Sequence, residues 1–180
     1  MDYTTIIREV GRGKNHARDL DQETAYTLYR HVLQGDVPDL ELGGLLIALR
    51  IKGEGEAELR GFYQAASEQV MRLHPPQGRP MPIVIPSYNG ARRQANLTPL
   101  LALLLTKLGF PVLIHGVESD PTRVTSSAIL QALGVKSATS AKAAQQQLDE
   151  GFPVFIPIAS LSPAIDKQLQ LRWRMGLRNS

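Results

Sequence analysis

The stretch Pro82-Ile83-Val84-Ile85-Pro86-Ser87-Tyr88-Asn89-Gly90-Ala91-Arg92-Arg93 decides the fold. Pro82 to Ile85 reads as a short apolar strand, and the residues after it carry turn chemistry and two arginines. Thr98-Pro99 then opens a helix expected to run to Leu108, with Gly109 as its stop. The same alternation recurs downstream. Val112 to His115 reads as a second strand, Arg123 to Leu133 as a helix stopped by Gly134, and Ala141 to Asp149 as a helix stopped by Gly151. Val154 to Ile158 reads as a third strand, and Ser162-Pro163 starts a last helix. Very short apolar strands alternating with helices argue for a parallel sheet covered by helices.

Upstream the pattern is helical. Asp2 caps a first helix ending near Val10, and Asp21 caps a second that carries Ala25, Leu28, Val32 and Leu33 on one face and stops at Gly35. Pro38 suits the first turn of a third helix, where Gly43-Gly44 would permit close packing against a neighbour. A fourth is expected from Glu56 to Leu73. His74-Pro75-Pro76-Gln77-Gly78-Arg79-Pro80 is a linker by composition. The expected organisation is therefore an N-terminal helical domain over 1–74, a linker over 75–80 and an α/β domain over 81–180. The last helix, 163–175, is expected to fold back onto the helical domain. A sheet of three or four strands leaves an open edge, so either the α/β domain is truncated on its C-terminal side or another subunit covers the edge.

The chain has 180 residues and an apolar fraction of 43%, enough to bury an aliphatic core, while aromatics make up only 6%. With no cysteine it has no disulfide, thiol nucleophile or thiolate zinc site, which suits a reducing compartment. Met1 to Val10 lacks the apolar core of a signal peptide. The apolar stretch Leu97 to Ile114 is too interrupted for a membrane span, so a cytoplasmic protein with no membrane partner is expected. The net charge is only +3, yet no acidic residue occurs from Gln69 to Val117 or from Lys167 to Ser180. That segregation points to an anionic partner.

In parallel α/β folds, ligands bind beyond the carboxyl ends of the strands. The turn Ser87 to Arg93 occupies that position. Gly90 permits a tight turn, Arg92 and Arg93 offer forked cationic donors, and Tyr88 offers a stacking surface. Asn89, Asn96 and Thr98 flank it, and the following helix presents free N–H groups suited to an anion. A single glycine makes this neither a Walker A loop nor a dinucleotide loop. His115 ends the second strand on the same edge. The basic run Gly11 to Arg18 adds Arg12, Lys14 and Arg18, and the C-terminal helix adds Arg172, Arg174 and Arg178. No histidine has metal-ligand spacing, and Glu54, Glu56 and Glu58 read as solubilising charge. No metal site and no catalytic residue is expected.

The order of these elements, with His115-Gly116, Ala132-Leu133-Gly134 and Arg172-x-x-x-Gly176, resembles the anthranilate phosphoribosyltransferase family. The resemblance implies its class III phosphoribosyltransferase fold. More narrowly, GRGKNHARDLD from Gly11, VPDLELGG from Val37, ALRIKGEGEAE from Ala48, PMPIVIPSYNGAR from Pro80, QANLTPLLALLL from Gln94, DPTRV from Asp120 and LRWRMGLRNS from Leu171 resemble a paralogous branch of that family. This implies a homodimer through the N-terminal helices that binds nucleic acid with little sequence preference and has no transferase activity. The enzymes' Gly-Thr-Gly-Gly-Asp loop corresponds to Pro86-Ser87-Tyr88-Asn89-Gly90, and their Asn-Ile-Ser-Thr to Asn96-Leu97-Thr98-Pro99. Their Lys-His-Gly-Asn-Arg corresponds to Ile114-His115-Gly116-Val117-Glu118, which loses both cations and the amide. Arg172 is the counterpart of the anthranilate-binding arginine, and the magnesium-binding Asp-Glu pair would fall beyond residue 180.

A pyrophosphate leaving group needs its charge neutralised as the bond breaks. A loop that keeps cations but loses those groups is expected to bind polyanions without activating them. Two rivals remain. One is an active phosphoribosyltransferase with a divergent loop, and magnesium and phosphoribosyl pyrophosphate enter only under that reading. The other is a scaffold whose basic surface meets an acidic protein.

Overall fold

The structure, a computed structural model, describes residues 1–13 and 15–177. It divides into two compact units, Met1–Val70 with the chain from Ala164 onward, and Met71–Pro163.

The first unit is helical: α1 (Tyr3–Val10), α2 (Gln22–Gln34), α3 (Asp39–Lys52), α4 (Glu56–Ser67) and, from its second residue, α9 (Pro163–Met175). Asp2 and Asp21 start α1 and α2 by accepting the N–H of Thr5 at 3.1 Å and of Thr24 at 2.8 Å. The Thr5 hydroxyl and N–H lower the carboxyl pKa of Asp2, and the Thr24 N–H and hydroxyl lower that of Asp21. Ile6, Val10, Leu20, Ala25, Leu28, Val37 and Leu45 form one buried cluster. The close helix approach lies elsewhere than Gly43-Gly44. Gly43 faces open space and Gly44 only touches Ile7, whereas Gly61 of α4 lies against the backbone of α2. A Cβ at Gly61 would sit 2.7 Å from the Tyr26 nitrogen and 2.9 Å from the Ala25 Cβ.

Glu58 overturns its reading as a solvated charge, because it is fully buried. Its carboxylate accepts from Lys52 Nζ at 2.6 Å, the Gly55 N–H at 2.7 Å and the Leu20 N–H at 3.0 Å. Lys52 also donates to Asp19 at 2.6 Å. Burial alone would lower the Lys52 pKa, but the hydrogen bonds to Asp19 and Glu58 outweigh it and raise the pKa above the ordinary value. In the same unit the Tyr29 hydroxyl donates to Gln168 at 2.6 Å, and Arg174 bridges Asp39 at 2.8 Å, so α9 is bonded to α2 and α3.

The second unit holds β1 (Ile83–Ser87), α5 (Thr98–Lys107), β2 (Val112–Gly116), α6 (Ser126–Ala132), α7 (Ala141–Glu150), β3 (Val154–Pro157) and α8 (Ile158–Leu161). The strands are parallel in the order β1-β2-β3, with Ser87 opposite Gly116 and Gly116 opposite Pro157. Alternation along the strands serves two covered faces. Val112, Ile114 and Phe155 pack with Ala102 of α5 and Leu130 of α6. Leu113, Val154 and Ile156 pack with Ala144 and Leu148 of α7. Pro86 lies on an edge strand, where a missing N–H costs no ladder bond.

Several boundaries differ from expectation, β1 among them, which runs over Ile83–Ser87 rather than Pro82–Ile85. Helix α4 ends at Ser67 rather than Leu73, because Met71 and Leu73 pack into the α/β core and the Met71 N–H donates to the Leu161 carbonyl at 2.8 Å. Helix α6 begins at Ser126 rather than Arg123: Thr125 caps it, and Val124 is held in an antiparallel bridge to Ala91. Strand β3 ends at Pro157, and Ile158 opens a four-residue helix.

Replacing Glu58 by Ala takes from Lys52 one of its two carboxylate partners and leaves two backbone N–H groups without theirs. The expected loss is about 3–5 kcal/mol of helical-unit stability in denaturant titration. Gly61→Ala is expected to cost about 1–3 kcal/mol by overpacking.

Candidate functional site

The site is built where β1 and β2 end. Gly116 is buried against the backbone of Ser87, and any Cβ on it would collide with the Ser87 carbonyl. That closeness lets the chain leave β1 directly over the end of β2. Tyr88 follows, and its hydroxyl lies 2.6 Å from His115 Nδ1, with the two rings edge to face at 5.3 Å between centroids. Burial raises the Tyr88 pKa to about 12, so the phenol stays protonated. Burial also lowers the His115 pKa, so the imidazole is neutral at pH 7. The consistent arrangement is a Tyr88 hydroxyl donating to Nδ1, with the proton of His115 on Nε2.

Gly90 takes a left-handed φ of 58°. Its neighbour Ala91 exchanges two backbone hydrogen bonds with Val124, both at 2.9 Å. Arg123 donates to the Asn89 carbonyl at 3.3 Å and keeps a buried Nε without a partner. Asn96 donates to the Val124 carbonyl and to Ser126 Oγ, both at 3.2 Å, while its own oxygen accepts the Thr98 N–H at 3.2 Å. Ser126 in turn bonds Ser87 at 2.7 Å. The loop is thus fixed from three sides before any ligand arrives.

Ser87, Tyr88, Asn89, Gly90, Asn96 and Thr98 line one open cavity of about 550 Å³, together with Leu97 and Leu101. His115 stands behind Tyr88. Arg92 and Arg93 are exposed on the same loop and pair with no described carboxylate. Arg12, Arg18, Arg172 and Arg174 belong to the helical unit. There Arg12 and Arg18 both face Glu9, at 2.9 Å and 3.8 Å. Arg174 is bridged to Asp39, and Arg172 is buried with its guanidinium 4.8 Å from the Trp173 ring centroid. Lys14 and Arg178 lie outside the described residues. Arg123 is the contributor that the sequence reading misses. By pattern it starts a helix, and only its place in Asp120-Pro121-Thr122-Arg123-Val124 hints at more.

Residues 4–69 match the glycosyl transferase family, helical bundle domain. The whole chain is 63% identical to the uncharacterized protein YbiB of Escherichia coli K12, of which it covers 56%. It is 28% identical over 176 residues to the anthranilate phosphoribosyltransferase of Methanopyrus kandleri, covering 97% of this chain and 50% of that one. The crystal structure of anthranilate phosphoribosyltransferase (TrpD) from Thermus thermophilus superposes with a TM-score of 0.77 at 27% identity, over 99% of this chain and 52% of that one. The chain is a homologue of YbiB with the anthranilate phosphoribosyltransferase fold. It spans about half the length of the relatives it matches. Among the described residues no helix is long and apolar enough to cross a membrane.

The half-buried neutral His115 makes the α/β unit sensitive to acid. Its native pKa lies below the ordinary value of 6.5, so the unfolded chain takes up the proton first. The stability that it contributes is complete above that ordinary value and is lost as pH falls through the lowered native value. Thermal unfolding followed from pH 8 to pH 5 is expected to show this decline, and a His115→Gln variant is expected to show less of it.

Proposed function

We propose that this protein binds nucleic acid without sequence preference, through cationic contacts to the phosphate backbone, on a fold that it shares with phosphoribosyltransferases. The observation that carries the reading is the division of charge at the β1 loop. Arg92 and Arg93 stand exposed at the carboxyl edge of the sheet and pair with no described carboxylate, while the adjoining cavity has no charged residue in its lining. Free guanidinium groups at a strand-end loop suit phosphate oxygens. Arg12, Lys14, Arg18, Arg174 and Arg178 extend the proposed footprint, with Arg12, Arg18 and Arg174 exchanging carboxylate partners for phosphates, whereas the buried Arg172 drops out of it. A cytoplasmic setting, where nucleic acid is at hand, fits a chain without cysteine.

The rival is an anthranilate-type phosphoribosyltransferase, favoured by the shared fold. Its magnesium and phosphoribosyl pyrophosphate would need carboxylates and cations aimed into the loop cavity. The lining from Pro86 to Leu101 offers neutral amides, hydroxyls and apolar groups instead. Among the described residues no cluster of His, Asp or Glu could hold a metal ion. The donor set of the described residues does not fit the magnesium complex.

The deciding experiment is a salt-titrated binding assay. The Arg92→Ala/Arg93→Ala variant is expected to weaken binding to unrelated sequences alike, and to reduce the slope of log affinity against log salt by roughly 1.8 on duplex DNA. An unchanged slope would remove this loop from the footprint. Product formation from anthranilate, phosphoribosyl pyrophosphate and magnesium would establish the rival.

The reading includes pairing of two copies through the N-terminal helices. What supports it is the apolar surface left outside the helical core. Leu40 is 85% exposed, Tyr63 75%, Ile51 55% and Leu59 54%. Light scattering is expected to give twice the 19.8 kDa mass of the chain, and Tyr63→Glu to shift the mass toward the monomer.

A further inference from the structure

We propose that Asn89 deamidates within the folded protein: its side chain closes onto the Gly90 nitrogen, and a carboxylate replaces the amide on the β1 loop. The effect on binding rests on the nucleic-acid reading above, whereas the chemistry does not.

Asn89-Gly90 is the one Asn-Gly pair in the chain, and the fold depends on its glycine. Gly90 takes a φ of 58°, and a Cβ there would lie 2.8 Å from the Val124 carbonyl oxygen. Glycine alone meets both conditions at low cost. The same lack of a side chain leaves the Gly90 nitrogen uncrowded as a nucleophile. Neither reacting group is engaged elsewhere. Asn89 is exposed, and among the described residues neither its side-chain amide nor the Gly90 N–H has a hydrogen-bond partner. Asn96 provides the contrast. Its amide donates to the Val124 carbonyl and to Ser126, its oxygen accepts the Thr98 N–H, and the leucine that follows crowds the next nitrogen.

The peptide between Asn89 and Gly90 is also activated. Its carbonyl accepts from Arg123 Nη1 at 3.3 Å. That carbonyl and the Gly90 N–H belong to one conjugated amide. A cation on the oxygen therefore favours the form in which the nitrogen has lost its proton. Among the described residues Arg123 forms no ion pair, so no carboxylate offsets its charge there.

Water is the only co-reactant. The Gly90 nitrogen gives up its proton and bonds to Asn89 Cγ. The bond from Cγ to Nδ2 breaks, and Nδ2 leaves as ammonia with its own hydrogens and that proton. The cyclic imide then takes up one water. Opening between Cγ and the Gly90 nitrogen gives aspartate. Opening at the backbone carbonyl gives isoaspartate, in which the chain runs through the former side chain. Nothing is oxidised or reduced. Either product sets a negative charge on the loop that carries Arg92 and Arg93, where it competes with phosphate for them. Isoaspartate also lengthens the chain just before the Ala91–Val124 pair.

The test incubates the protein at mildly alkaline pH and follows peptide masses, with isoaspartate labelled by a protein isoaspartyl methyltransferase. The mass gain of an amide-to-acid exchange and the label are expected at Asn89, with Asn96 intact over the same period. Asn89→Gln is expected to abolish both signals. Arg123→Gln is expected to slow the reaction by on the order of tenfold. A synthetic peptide of residues 84–94, which lacks the Arg123 contact, is expected to react more slowly than the folded protein and keeps the test open if Arg123→Gln fails to fold. An intact Asn89 in the folded protein would overturn the proposal. A peptide that reacts as fast as the protein would overturn activation by the fold. In the salt-titrated binding assay Asn89→Asp is expected to weaken binding and to reduce the slope by roughly 0.9 on duplex DNA, the share of one phosphate contact. An unchanged slope would overturn the effect on binding. Absence of binding by the unaltered protein would overturn the nucleic-acid reading, and the masses would still decide the chemistry.

Discussion

The carboxyl edge of the sheet depends on the absence of a side chain at Gly116. Parallel strands this short have few residues with which to set a register, and here the last pair, Ser87 with Gly116, places one backbone directly on the other. A Cβ would push β1 away from β2 and take Tyr88 out of reach of His115. The hydroxyl relay from Ser87 through Ser126 to Asn96 would lose its first member, and Asn96 would lose part of its hold on the start of α5. The loop geometry is therefore set by close backbone packing, and the polar contacts then fix it.

The helical unit solves a different problem. Its apolar cluster is modest, and its centre holds a carboxylate. Three hydrogen bonds converge on Glu58 from α3, from the α3–α4 turn and from the segment before α2. An isolated buried carboxylate would be prohibitively costly, but one with every partner in place ties three segments to a single point. The same arrangement immobilises Asp19, at the end of the basic run that carries Arg12 and Arg18. Glu9 then gathers those two arginines, so the run is ordered at both ends by carboxylates.

The alternation of strands and helices is legible in the sequence because its signals are local. Glycines after α2 and α7 take left-handed φ, and Asp2, Asp21, Thr125 and Ser140 accept the N–H groups that start their helices. What cannot be read depends on contacts distant in sequence. Glu58 looks like its neighbours Glu54 and Glu56, since nothing local distinguishes an acid that will meet the Leu20 N–H across 38 positions. Gly61 stands alone in a helix, while the conspicuous pair Gly43-Gly44 meets little. Arg123 and Val124 have helical neighbours downstream, and only the fold brings them against Asn89 and Ala91. In the site, the loop residues follow from strand-end topology, but their division into a neutral pocket and a charged rim requires the cavity itself.

That division bears on how a transferase fold could be put to another use. The position at which β1 hands over to α5 is set by the sheet, so it remains a ligand position whatever side chains occupy it. Chemistry at a phosphate requires charge aimed at the atoms where charge develops. Binding requires only that charge be near the ligand and that the remaining surface lose little on contact. Arg92 and Arg93 are exposed and lie outside the cavity lining, which suits the second requirement, the one the proposed function makes. Tyr88, fixed by His115 and backed by a rigid loop, supplies surface whose ordering has already been accomplished by folding. Under the proposed function the same fold would hold a phosphorylated ligand in both cases, and the placing of charge outside or inside the cavity would separate retention from reaction.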